Sequence, residues 1–218
     1  MNLRRRAIMG IKKARLPKEY QEVEYLESTG EQYIDTGINR VTPRTEIEID
    51  FKITQSKPFQ ALYCSRVNAM PITRTLFITD LNGFRNDTNT QQTILKSLSL
   101  ETMYNLQSTK TNLILNNEII DSYNLNEIID RKLTLLDSYD TTSQEMSSVY
   151  YACLKVYKSK IIEDDPVIRN FIPCYRKSDN KPGLYDLTGS ICPLTGTPFY
   201  INANTSATTD FIVGADVN

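Results

Sequence analysis

Residues 45–53, Thr-Glu-Ile-Glu-Ile-Asp-Phe-Lys-Ile, alternate without a break. Ile47, Ile49, Phe51 and Ile53 fall on one side, and Glu46, Glu48, Asp50 and Lys52 on the other. A period of two predicts a half-buried strand of an antiparallel sheet. Shorter apolar runs bounded by turn residues follow along the chain. They predict strands at 23–26, 32–38, 61–64, 75–79, 102–106, 110–115, 133–136, 149–157 and 199–213. Ser159-Lys160 is expected to turn the strand that ends at Tyr157 into Ile161-Ile162. Asn116-Asn117 between two apolar runs reads as a two-residue hairpin turn, because asparagine tolerates the positive φ such turns need. Two short segments, 94–100 and 125–132, are the helix candidates. The stretch 169–189 reads as strand, turn, strand: Phe171-Ile172 precede Pro173, the polar run 177–183 makes the turn, and Leu184-Tyr185-Asp186-Leu187 closes it.

Many short strands at this spacing predict an all-β fold: a two-sheet antiparallel jelly-roll sandwich with an extended basic N-terminal arm. The division expected is residues 1–17 as the arm and 18–218 as the sandwich domain. Because an open strand edge is a liability, segments 32–38 and 199–213 are expected to lie side by side.

Composition narrows the chemistry. The chain has 218 residues with a formal charge of −1, which argues against a domain that binds nucleic acid over its whole surface. The basic residues Arg4, Arg5, Arg6, Lys12, Lys13 and Arg15 nevertheless crowd a start without acids. No apolar run is long enough for a membrane span, and no signal peptide is expected, because Lys12 and Lys13 interrupt the short apolar stretch 7–11. Cys64, Cys153, Cys174 and Cys192 lack metal-ligand spacing and are expected to be reduced and mostly buried. With no histidine to activate a serine or cysteine, nucleophilic catalysis has no support.

Three other segments agree with Arg-Asn-Phe-Ile-Pro-Cys-Tyr-Arg-Lys-Ser-Asp-Asn (169–180) and Gly-Leu-Tyr-Asp-Leu (183–187). They are Val-Glu-Tyr-Leu-Glu-Ser-Thr-Gly (23–30) with Gln-Tyr-Ile-Asp-Thr-Gly (32–37), Tyr-Tyr-Ala-Cys-Leu-Lys-Val-Tyr (150–157), and Phe-Tyr-Ile-Asn-Ala (199–203). Together they resemble the laminin-G-like, concanavalin A-like jelly-roll modules of phages and prophages of gut bacteria. The resemblance brackets residues 16–214, and the middle, 58–148, agrees only in strand rhythm. It implies a virion component, namely a head-decoration, head-fibre or tail-associated protein with a structural and adhesive role. Such a protein would be present in multiple copies, be assembled in the host cytoplasm, and dock to other virion proteins through the basic arm. Host surface glycans are the second partner implied. The rival readings are a protein that binds or cleaves host polysaccharide, and a purely structural module without ligand.

Glu46, Glu48 and Asp50 resemble the acidic strand of jelly-roll glycosidases, but the order of the acids departs from that pattern and the chain has no tryptophan. The expectation is therefore no enzymatic activity and a solvated face balanced by Arg44 and Lys52. Tyr63, Arg66, Arg85, Asn86 and Asn89 are the glycan-binding candidates, as an aromatic face with planar polar groups on rim loops. No cofactor is required. Calcium, held by Asp80, Asn82 and Asp87 or by Asp137 and Asp140, is the one alternative, with local turn hydrogen bonds the simpler role for these residues.

Overall fold

The computed structural model describes residues 15–66, 73–88, 90–137 and 150–217. Among the described residues, seventeen strands run in chain order. They are β1 (Tyr20–Glu22), β2 (Leu26–Thr29), β3 (Ile34–Asp35), β4 (Thr45–Ile53), β5 (Gln60–Arg66), β6 (Thr73–Ile78), β7 (Gly83–Asp87), β8 (Gln91–Leu95) and β9 (Tyr104–Ser108), followed by β10 (Asn112–Leu115), β11 (Glu118–Ser122), β12 (Thr134–Leu135), β13 (Cys153–Glu163), β14 (Val167–Arg176), β15 (Lys181–Asp186), β16 (Phe199–Tyr200) and β17 (Ile212–Val213). Among the described residues there is no α-helix, and no helix long and apolar enough to cross a membrane.

The strands form two antiparallel sheets packed face to face as a sandwich, in keeping with the expected jelly roll. The larger has eleven strands along the path β11-β10-β9-β4-β13-β14-β15-β16, with β1, β2 and β17 beside it; the smaller has six, β3-β12-β5-β6-β7-β8. Strand β4 shows why the sequence folds this way. Ile47, Ile49, Phe51 and Ile53 are all buried, while the alternate charged residues stay partly exposed. They join Tyr63, Leu76, Ile78 and Phe84 of the small sheet in one core. The small sheet differs in that its central strand β6 is buried on both faces, while β8 at its edge is mostly exposed.

Both helix candidates are corrected to extended chain. Ile94 belongs to β8, and Lys96 and Leu98 donate backbone hydrogen bonds to Asn82 and Leu81 at 3.0 and 2.9 Å. Ile129 forms a reciprocal backbone pair with Val41, at 2.8 and 2.9 Å. Isolated helices this short cannot repay their nucleation cost, so strand pairing that satisfies the same backbone groups prevails. The expected turn at Ser159-Lys160 is also corrected. Strand β13 runs straight through it, because Ser159 and Ile161 are buried while Lys158 and Lys160 reach outward to acids. The chain reverses instead at Asp164-Asp165, both at positive φ. Asn116-Asn117 does form the β10–β11 turn, with φ of 49° and 68°.

The block 169–189 is the β14–β15 hairpin with its flanks. Pro173 sits where β14 passes from its pairing with β13 to its pairing with β1. Its carbonyl accepts from Val23 at 3.1 Å, and its missing N–H falls on that same side, where neither neighbour requires it. Gly183 is required for space, since a Cβ there would collide with the Tyr200 carbonyl and the Phe199 ring. Asp186 is fully buried. Its Oδ1 accepts from the backbone N–H of Asn170 at 2.9 Å and of Thr188 at 3.0 Å, which locks the hairpin base.

The two ends of the domain lie together, as expected. Ala203 N–H donates to the Tyr33 carbonyl at 2.9 Å, and Gln32 Nε2 donates to Thr209 Oγ1 at 2.8 Å. The terminal segment is not one strand, however. β16 pairs with β15 and β17 with β2, and an irregular loop between them lies along residues 31–33. At the N-terminus, Arg15 donates to Glu22, and Leu16 packs with Ile172, Cys174 and Phe199.

Candidate functional site

Strand registers decide which side chains share a face. On the small sheet, the pairs Arg66–Thr73, Cys64–Thr75, Thr75–Asp87 and Phe77–Arg85 put these residues on the side away from the core. Phe77 anchors the patch. Its ring lies 6.1 Å from Phe59, edge to face, and 5.3 Å from Tyr150. Phe59 and Tyr150 are half-buried and come from segments far apart in sequence. The Arg85 guanidinium lies 5.5 Å from the centres of both the Phe59 and the Phe77 ring. It also forks onto Asp87, Nε to Oδ1 at 2.8 Å and Nη2 to Oδ2 at 2.7 Å. The Arg85 side chain is only 27% exposed and that of Asp87 only 7%. A planar ion pair so shielded from water, stacked on aromatic rings, is held in one orientation. The result is a rigid patch in which the half-buried Phe59 and Tyr150 rings reach the surface over a buried Phe77, with the Arg85–Asp87 pair at its edge. That combination suits a ligand with one apolar face and several hydroxyls.

The sequence candidates divide across the sheet. Arg66 and Arg85 share this outer face, at its end and its centre. Tyr63 and Asn86 do not, and this corrects their placement on rim loops. A bulge between Ala61 and Tyr63 shifts the alternation, so the Tyr63 ring points inward beside Leu76 and is completely buried. Burial drives its hydroxyl strongly away from ionisation. Asn86 also faces inward, 1% exposed, and its amide donates to Asp121 at 3.0 Å across the sandwich. Asn89 lies outside the described residues, as do Arg4, Arg5, Arg6, Lys12 and Lys13 of the arm. Arg15, the described member of that basic set, is engaged by Glu22. Sequence reasoning missed Phe59, Phe77 and Tyr150. The parity of Phe77 with Thr75 and of Arg85 with Asp87 was a usable signal; nothing local marked Phe59 or Tyr150.

Another aromatic pair lies on the large sheet. Tyr25 and Tyr157 stand 5.6 Å apart, with Lys155 Nζ 5.1 Å from the Tyr25 ring and Lys52 Nζ 5.6 Å from the Tyr157 ring. The acidic strand belongs to the same solvated face. Glu48 pairs with Lys160 at 3.4 Å, and Asp50 with Lys158 at 3.0 Å and with the Asn105 amide at 2.5 Å. The balancing charge therefore comes from β13. Arg44, expected to supply it, pairs with Asp164 instead.

Of the two calcium alternatives, the set Asp80, Asn82 and Asp87 does not converge. Asp80 and Asn82 sit in the turn before β7 and Asp87 at the far end of that strand, where Asp87 is held by Arg85. Asp80 accepts from Ser56. Asp137 is buried and Asp140 lies outside the described residues. Among the described residues, no cluster of three or more His, Cys, Asp or Glu could hold a metal ion. All four cysteines are buried free thiols. Cys174 shows the consequence: burial pushes its thiol far up from the usual range.

No known family model matches this sequence, and no curated protein matches it.

Proposed function

We propose that the protein is a structural and adhesive component of a bacteriophage virion, carrying a laminin-G-like sandwich that binds host surface glycan on the outer face of its six-stranded sheet. The observation that carries the glycan reading is the Phe59, Phe77 and Tyr150 cluster with the Arg85–Asp87 fork seated on it. Sugar rings stack their C–H faces on aromatic rings, and a fixed guanidinium–carboxylate pair offers donors and acceptors to the hydroxyls. The virion assignment rests on the resemblance of the terminal blocks to phage modules, and the basic arm would be the element that docks to the particle. Hydrolysis has no place in this reading. Glu48 and Asp50 are tied to lysines on a flat solvated face, whereas glycoside cleavage needs one carboxyl kept protonated within a cleft.

The test is retention of the full chain on purified host envelope polysaccharide. Phe59→Ala and Arg85→Gln are compared with Tyr25→Ala, which alters the other sheet. Binding by the native chain that falls about tenfold or more in the first two variants and is kept in the third is expected. A native chain that retains no polysaccharide, or binding that survives both small-sheet variants, overturns the site. Detection of the protein in purified particles, and its loss from them when residues 1–15 are deleted, tests the virion assignment separately.

A further inference from the structure

Among the described residues the sandwich has several strand edges, and all but one are blunted; β1 has three residues and ends on Glu22. β3, β16 and β17 have two residues each. β11 carries Glu118 and Asp121, and its ladder with β10 is broken by a bulge. Short edges, charges and bulges are the usual protections against edge-to-edge pairing. β8 has none of them. Its five residues, Gln91-Gln92-Thr93-Ile94-Leu95, include no charge and no proline, and its register with β7 is unbroken. Leu95 at its end is 84% exposed.

The register fixes which backbone groups are open. Lys96 N–H donates to Asn82 and Thr88 N–H to Thr90, so the even-numbered residues of β8 point their N–H and C=O groups at β7. Gln91, Thr93 and Leu95 therefore point theirs outward, and they have no backbone partner among the described residues. This set is symmetric about Thr93. An antiparallel second copy of the same strand would place Thr93 against Thr93 and Gln91 against Leu95, each a hydrogen-bonded pair, with no charge facing a charge.

We propose that β8 is the contact strand for a second copy of this chain, paired antiparallel about a two-fold axis at Thr93. The contact is self-complementary and closes on itself, so it yields a dimer and not a filament. It also fuses the two small sheets into one continuous sheet. Thr93 lies opposite Arg85 on the outer face, so the aromatic patches of both copies would share that face. The two Arg85 side chains would stand about 14 Å apart, three strand spacings. The proposal is independent of what those patches bind.

Sedimentation velocity of the full chain at rising concentration tests it. A monomer–dimer equilibrium is expected. Thr93→Pro removes an outward N–H that β7 does not use, and Thr93→Lys sets two cations opposite each other at the axis. Each should raise the dimer dissociation constant by about tenfold or more, while the far-ultraviolet circular dichroism stays native. Thr93→Lys keeps the test decisive should the proline variant fold poorly. A native chain that stays monomeric up to its solubility limit, open-ended oligomers, or a dimer unaffected by natively folded Thr93→Lys would overturn the proposal.

Discussion

Arg74 Nη2 donates to both the hydroxyl of Ser108, at 3.1 Å, and its carbonyl, at 3.2 Å, reaching from the small sheet through the core to the large one. Nη1 meets the Thr45 carbonyl, and the side chain is 1% exposed. The partners are neutral: the guanidinium is held by carbonyl and hydroxyl dipoles, with Tyr63 and Tyr123 beside it. A buried charge is costly unless its donors are placed; both Nη atoms find acceptors while Nε has none among the described residues, and the side chain acts as a strut between β6 and the β4–β9 pair.

Arg74→Met should therefore destabilise the fold by about 3 kcal/mol, because it strands the Thr45 and Ser108 acceptors in a dry core. Arg74→Lys should recover only part of this, since a point ammonium cannot fork to both strands. Urea unfolding measures both. A methionine variant as stable as the native chain would show that the buried charge contributes nothing net.

That strut shows how far the sequence could be read. The alternation in β4 was legible because each strand there has one wet face and one dry face. In β6 both faces are dry, and periodicity loses its contrast. Arg74 still shares the parity of Leu76 and Ile78, which marks it as inward-facing, but a charged residue on a core face invites the opposite reading. Tyr63 was misplaced because the bulge at 61–63 reverses the alternation after Ala61, and no residue type announces a bulge. Phe59 and Tyr150 meet only in three dimensions. By contrast, the hairpin at Asn116-Asn117 and the one at 167–186 were legible, because turn chemistry is local.

Gly183→Ala should cost about 1–3 kcal/mol through overpacking alone, since the added methyl group has nowhere to go between the Tyr200 carbonyl and the Phe199 ring. Gly189→Ala is the control. Space is open around its Cα, and its φ of 81° charges the variant only for backbone strain. Thermal unfolding that ranked the two equal would mean that crowding at β16 is relieved by a small shift of the terminal segment.

Buried tyrosines predict the alkaline limit of the fold. Burial raises the hydroxyls of Tyr151 and Tyr200 to about 12, and pushes those of Tyr63, Tyr123 and Tyr185 up as well. These groups hold their protons in the folded chain at pH values where the unfolded chain has released them. Stability is thus unaffected by them below about pH 10, the ordinary tyrosine value, and falls as pH rises from there toward 12. Ultraviolet difference titration should show these five tyrosines ionising only with unfolding. A smooth titration of all of them in a chain that keeps its circular dichroism would contradict their burial.

The junction of the two ends yields the last prediction. Gln32 is fully buried. Its Oε1 accepts from Thr29 N–H at 2.9 Å, while its Nε2 donates to Thr209 Oγ1 at 2.8 Å and to the Thr209 carbonyl at 3.1 Å. One side chain thus satisfies the turn after β2 and holds the terminal loop against it. Tyr200 adds an apolar contact, its ring 4.9 Å from Phe171 in the core. Gln32→Ala removes this buried amide and its bonds to Thr29 and Thr209; because Thr29 is half-buried and Thr209 exposed, water replaces the amide at those groups and the cost is about 1 kcal/mol. Removing residues 199–218 goes further, since it strips the partner strand from the edge of β15 and uncovers Phe171 and Tyr33 together. The shortened chain should be insoluble, or should bind a hydrophobic dye strongly at temperatures where the native chain does not. A 1–198 chain that stays soluble and melts cooperatively would show that the terminal segment merely rests on a finished sandwich, and Gln32→Ala should then be nearly silent.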